Sequence, residues 1–263
     1  MLFRSLPGYA ELHCRSNFSF LSGASQPEEL VARAQALGYC ALALADECSL
    51  SGSVRAHGEA ERLQMRLIVG TEMQLTAPAA PAAAPALSPA RPAEPRLVLL
   101  VQSRRGYSNL VQWITHARRR APKGEYRAHR SDIEGRIPTA PMLAGLPGCF
   151  ALLLPDPASS FEALFNHAMW LKTWFGTERA AIAVELRYQP HSALQVSLLT
   201  RLAAATGLPL VAAGGVRMHT RSRKPLLDVL TATRLKCTVA EAGLALQPNA
   251  EAHLRSRVRL ASL

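Results

Sequence analysis

The stretch ELHCRSNFSFLSGAS, residues 11–25, sets the frame for the rest of the chain. It reads as the end of a buried strand carrying His13, then a polar turn, then the start of a helix. Alternate residues of a strand share a face, so a metal enzyme that opens this way needs a second histidine two positions on. That position holds Arg15, which is always protonated and has no lone pair to offer an ion. The stretch therefore poses a choice between a metal site, a former metal site and none at all.

Outward from it runs a strand–helix alternation. YAELHC (9–14), ALALAD (41–46), RLIVG (66–70), RLVLLVQ (96–102), CFALLLP (149–155), AAIAVELR (180–187) and LPLVAAG (208–214) have the length and apolar run of strands. Helices are predicted at about 27–37, 53–64, 106–120, 159–175, 191–206, 222–235 and 251–261. Ser25-Gln26-Pro27-Glu28 fits a capping box for the first of these, and Gly38 ends it. Near-continuous apolar strands between amphipathic helices predict an α/β protein with a parallel sheet buried on both faces. Seven such strands suit a closed or nearly closed barrel better than an open sheet. No Gly-rich phosphate loop follows the first strand to argue for a nucleotide-binding fold.

One segment breaks the pattern. APAAPAAAPALSPARPAEP (77–95) is Pro/Ala low complexity, expected as an exposed, semi-extended insertion. A second loop-like stretch, APKGEYRAHRSDIEGRIPTAP (121–141), follows the basic helix 106–120. Strands of the same character resume after both, so residues 1–263 are expected to form a single domain.

With 49% hydrophobic residues the chain is not a disordered one. No apolar run approaches the ~20 residues that span a bilayer, so no membrane partner is expected. The N-terminal stretch lacks the apolar core and cleavage site of an export signal. Five scattered cysteines with no CxxC pair fit reduced thiols, and the expected location is cytoplasmic. Thirty Lys and Arg against nineteen Asp and Glu leave a net charge of +11. Eleven basic and four acidic residues fall between Arg91 and Arg136, and nine and three from Arg217 onward. Clustered arginine favours phosphate partners; the same counts fit a chain that uses Arg for Lys on a solvated surface.

In α/β barrels the chemistry sits at the C-terminal strand ends. Those ends carry His13, Asp46, Glu72, Glu185 and the Gly214–Arg217 stretch. A histidine, an aspartate and a glutamate at one rim are competent ligands for a divalent ion. A lone acidic residue at a strand end is more often a helix N-cap or a loop ion-pair partner. His116, His129, His167, His191 and His219 are further nominees, read mostly as surface or capping residues.

The chain resembles the polymerase and histidinol phosphatase (PHP) domain, in particular the copy at the N-terminus of bacterial C-family error-prone DNA polymerases. The resemblance is carried by ELHCRSNFSFLSGAS, EELVARAQALGYCALALADECSLSGSVRAH, IVGTEM, GYSNLVQWITHARRRAPKGEYR, PLVAAGGVRMHTRSRKPLLDVLTA and NAEAHLRSRVRLASL. It implies a distorted seven-stranded (β/α) barrel and, in active members, a trinuclear metal cluster that hydrolyses phosphoesters. It also implies that the family's opening His-x-His stands here as His13-Cys14-Arg15, and its Asp-His as Asp46-Glu47. Its third-strand glutamate is Glu72, and its closing Asp-x-His is Gly215-Val216-Arg217.

The expectation is thus a vestigial site: His13, Asp46 and Glu72 remain, while Arg15, Glu47, Gly215 and Arg217 replace ligands. No catalytic residue is assigned, and no cofactor is expected beyond at most one Zn, Mn or Mg ion. Arg15 and Arg217 are expected to pair with Asp46, Glu47 and Glu72. The function implied is that of an N-terminal PHP segment of an error-prone polymerase in damage-induced (SOS) translesion synthesis, structural and close to DNA. No polymerase palm lies within these residues, so the chain alone is not expected to polymerise. The implied partners are DNA, the palm and thumb of the same enzyme, and other mutasome or repair proteins. Arg118, Arg119, Arg120 and Lys123 are the predicted phosphate contacts, without sequence preference. The alternative is a free-standing metal-dependent phosphoesterase or 3′–5′ exonuclease of the same fold.

Overall fold

Strands form where the apolar runs predict them. A computed structural model describes residues 6–77, 94–189 and 192–262. The seven strands are β1 (Ala10–Cys14), β2 (Ala41–Glu47), β3 (Leu67–Gln74), β4 (Arg96–Val101), β5 (Cys149–Leu154), β6 (Ala180–Val184) and β7 (Leu210–Ala212). They lie in one sheet in the order of the sequence. Past β7, Val216 bridges back to Cys14 in β1, so the sheet is a nearly closed α/β barrel, as expected. The longer helices are α1 (Pro27–Ala36), α2 (Ser53–Arg62) and α3 (Arg104–Arg119). After the four-residue α4 (Arg130–Ile133) come α5 (Phe161–Phe175), α6 (Ser192–Thr206) and α7 (Lys224–Leu235). Short α8 (Val239–Ala242) and α9 (Arg257–Ala261) follow. Among the described residues no helix is long and apolar enough to cross a membrane.

The sheet is not parallel throughout. β1–β2 and β5–β6 are parallel, but β4 and β5 pair antiparallel from Arg96↔Leu154 to Val101↔Cys149. The cause is the path between them. α3 leads away from the end of β4, and residues 120–148 bring the chain back to where α3 began, so β5 starts beside the end of β4. That return needs a backbone contact at the N-terminus of α3. A Cβ on Gly106 would stand 1.9 Å from the carbonyl oxygen of Gly148, whose own φ is +79°. Glycine at both positions lets the two segments touch.

Contacts divide the chain into two compact units. One comprises residues 1–71, 185–192 and 212–263. Its core joins Leu30, Val31 and Ala34 of α1 and Ala56 and Ala60 of α2 to Cys14, Leu42 and Leu44 of the strands, with Val216 and Leu254. Small residues on both helices let them lie close to each other and to the sheet. The other unit comprises residues 72–184 and 193–211. Leu97, Leu99 and Leu152 of its strands and Trp113 and Leu110 of α3 are fully buried.

Two further sequence expectations are corrected. The capping box of α1 uses Gln26 and Glu29, with Gln26 N–H donating to Glu29 Oε2 at 2.9 Å, because Pro27 takes the first helical position. Ser25 pairs with His219 instead. The helix predicted at 251–261 is only α9. Residues 251–255 are buried in succession, and Ala252 and His253 pair with Arg217 and Met218; an unbroken buried run offers no amphipathic face. The Pro/Ala insertion lies outside the described residues from 78 to 93, whereas its last two positions are anchored. Pro95 O accepts from Leu75 N–H at 3.0 Å, and Glu94 pairs with Arg130.

Candidate functional site

His13, the penultimate residue of β1, is buried. Its Nδ1 lies 2.5 Å from Oε1 of Glu185, the residue that follows β6. The other carboxylate oxygen of Glu185 pairs with the guanidinium of Arg187. Arg187 leans into space left open at Gly215: a Cβ there would lie 2.1 Å from Arg187 Nη2 and 2.6 Å from Glu185 Oε2. Gly215 also has φ +56°, a backbone state that favours glycine.

Beneath His13 sits Glu11, two residues earlier on the same strand and 1% exposed. Its carboxylate accepts from Tyr9 Oη at 2.9 Å, from the backbone N–H of His13 at 3.0 Å and from that of Gly214 at 2.8 Å. Burial raises the Glu11 carboxyl pKa, and these three donors oppose the rise. Glu11 thereby ties β1 to the chain leaving β7. Its signal in the sequence was a glutamate at the strand position that shares a face with His13.

At the end of β2, Asp46 is 1% exposed and held by the loop that follows β1. One oxygen accepts from Ser16 N–H at 2.8 Å and from Ser19 Oγ at 2.7 Å, and the other from Ser16 Oγ at 2.8 Å. Burial raises its pKa against those bonds and the charge of Arg15. Ser19 Oγ also accepts from Glu47 N–H at 2.9 Å. Arg15 donates to Ser22 Oγ at 2.7 Å and to Glu47 Oε2 at 3.1 Å. So the expected pairing of Arg15 with Glu47 is present. Arg217 contributes its backbone, with N–H donating to Ala252 O and O accepting from Ala24 N–H.

Glu72 differs from the sequence reading in its surroundings. β3 runs on to Gln74, so Glu72 is inside the strand. It belongs to the second unit, where Arg96 Nε lies 3.4 Å from Oε1. Of the nominated histidines, His219 lies against Ser25 and Glu29, His129 caps α4, and His167 is buried within α5. His191 lies outside the described residues.

The residues do not fit a cluster of metal ions. A multinuclear site needs several anionic or neutral ligands around each ion, and here Arg15 and Arg187 place permanent cations against two of the carboxylates. Both oxygens of Asp46 are already held by serines. Among the described residues no group of three or more His, Cys, Asp and Glu is arranged to hold an ion.

The basic stretch at the end of α3 divides. Arg120 grips Asp132 with both nitrogens, at 2.8 and 2.9 Å. Arg118 lies over the Tyr126 ring at 5.5 Å. Arg119 and Lys123 are exposed.

A seven-stranded, nearly closed α/β barrel defines a class, and the sequence comparison agrees. Residues 11–186 match the PHP domain, and the chain belongs to that family. It is 49% identical over 258 residues to an error-prone DNA polymerase of Bordetella parapertussis and 50% identical over 261 residues to one of Dechloromonas aromatica. Each match takes in 98% of this chain but 23% of the relative, so the chain spans about a quarter of their length. Among solved structures, an amidohydrolase from Chromobacterium violaceum with bound sulfate and no metal superposes with a TM-score of 0.52 at 15% identity. That match covers 80% of this chain and 88% of the other. A protein from Bifidobacterium adolescentis named as a metal-dependent phosphoesterase gives 0.50 at 17% identity, with the same coverage. These two establish likeness of fold.

Proposed function

We propose that the chain is the PHP segment of an error-prone DNA polymerase and serves there as a structural module beside the DNA, without hydrolytic chemistry of its own. The observation that carries this reading is identity near 50% along 98% of the chain to polymerases four times its length. Nucleotidyl transfer belongs to the rest of such an enzyme, whose palm and thumb are the partners this segment docks against. In the cell the enzyme copies past lesions in the cytoplasm as part of the damage-induced response, together with other repair proteins. The segment's own contribution to DNA binding is electrostatic, from its excess of arginine. The phosphoesterase or exonuclease alternative is disfavoured by Arg15 and Arg187, which pair with Glu47 and Glu185 where ligands would be needed.

Two assays test the reading. Primer extension by the full-length polymerase should collapse when residues 1–263 are deleted. The isolated chain should release no nucleotide from a DNA 3′ end with Mn²⁺ or Zn²⁺ present. Extension that survives the deletion, or metal-dependent release by the chain, would overturn it.

A further inference from the structure

We propose that Arg187 is a built-in cation: its guanidinium fills the space opened by the absent side chain at residue 215 and keeps His13 and Glu185 from recruiting a divalent ion. The first ground is charge. Glu185 is shared between His13 Nδ1 and Arg187, and both acidic and basic side chains are largely buried, at 14% and 17% exposed. A carboxylate so buried needs a positive partner, and Arg187 supplies one permanently. The second ground is volume. A Cβ on residue 215 would lie far inside contact distance of both the guanidinium and the carboxylate, so the ion pair in this position and a side chain at 215 exclude each other.

The third ground is placement. The backbone under Arg187 is pinned by residues far along the chain. Arg255 Nη1 donates to Leu186 O at 2.6 Å, and Asn249 Nδ2 donates to Arg187 O at 2.7 Å. Tyr188 then lies under the Arg259 guanidinium at 4.8 Å. Arg187 Nε is buried and has no hydrogen-bond partner among the described residues, so there Glu185 is what holds the charge in place. The inference does not depend on the polymerase assignment.

Melting curves of Gly215→Ala, Arg187→Ala and the combined variant test the exclusion. Gly215→Ala should lower the melting temperature, and in the Arg187→Ala background its added effect should fall by at least about half, since contacting residues couple. An equal drop in both backgrounds overturns the proposal. Gly215→Asp combined with Arg187→Ala tests the charge. Aspartate tolerates the left-handed backbone and returns a carboxylate next to His13 and Glu185. In about 1 mM MnCl₂ that variant should melt roughly 5 °C higher, whereas the wild-type chain should not shift. A shift in the wild-type chain, or a folded variant blind to Mn²⁺, overturns the proposal. Should that variant not fold, the alanine pair decides.

Discussion

Replacing Asp132 with asparagine should destabilise the chain by about 3 kcal/mol. Asp132 is 2% exposed, and its carboxylate accepts four hydrogen bonds. They come from Trp113 Nε1 at 3.0 Å, from His129 N–H at 3.1 Å and from the two arms of Arg120 at 2.8 and 2.9 Å. Asparagine keeps one oxygen for Trp113 and His129 but turns an NH₂ toward the guanidinium, and it carries no charge. A hydrogen bond to a charged group contributes about 1.5–3 kcal/mol; the one from Arg120 Nη2 to Oδ1 is lost with a donor–donor contact added, and the three to Oδ2 lose their charged acceptor. Arg120 is 26% exposed, so water recovers part of its share, which holds the total near the upper end of that range, about 3 kcal/mol.

For a chain of this size the melting temperature should fall by about 6–12 °C. The pH dependence gives a second reading. Burial raises the Asp132 carboxyl, but Arg120, His129 N–H and Trp113 outweigh it and hold it below its usual value. Its contribution is therefore complete above the unfolded pKa of ~3.9 and is lost as pH falls through the lower folded value. The gap between wild type and Asp132→Asn should stay constant from neutral pH to about 5 and close only in stronger acid. A drop under about 2 °C at neutral pH, or a gap that closes near pH 6–7, would refute the argument.

Titrating duplex DNA against salt should show binding without sequence preference. Arg119→Gln with Lys123→Gln should flatten the log–log slope by about 1.8, while Arg120→Gln should lower stability and leave the slope alone; the reverse pattern would place Arg120 on the DNA. Ser19→Ala removes a donor to buried Asp46 and an acceptor for Glu47 N–H. It should cost about 2 kcal/mol by urea denaturation, and a neutral result would show Asp46 indifferent to its loop. Elemental analysis of the dialysed chain should find less than one Zn or Mn per molecule; two or more would contradict the charge pairing at Glu47 and Glu185.

The strand and helix order was legible in the sequence because burial writes itself as apolar period. The seven runs from Ala10 to Ala212 fall within a few residues of their predicted bounds. So were His13 and Asp46, since a polar residue closing an apolar strand is visible without coordinates. The pairing of Arg15 with Glu47 was among those anticipated for Arg15 and Arg217 with Asp46, Glu47 and Glu72, from the ligand positions that the family resemblance implied and the charges standing there. Other features were decided only in three dimensions. Apolar periodicity reports which faces are covered, not which way a strand runs, so the reversal at β5 depended on the return path to Gly106 and Gly148. Arg187 closes the 180–187 run, and nothing in the sequence singles it out. Its role comes from Glu185, 172 residues from His13, and from a missing Cβ at Gly215. A space is made by atoms that are absent, and only the folded chain determines which side chain fills it.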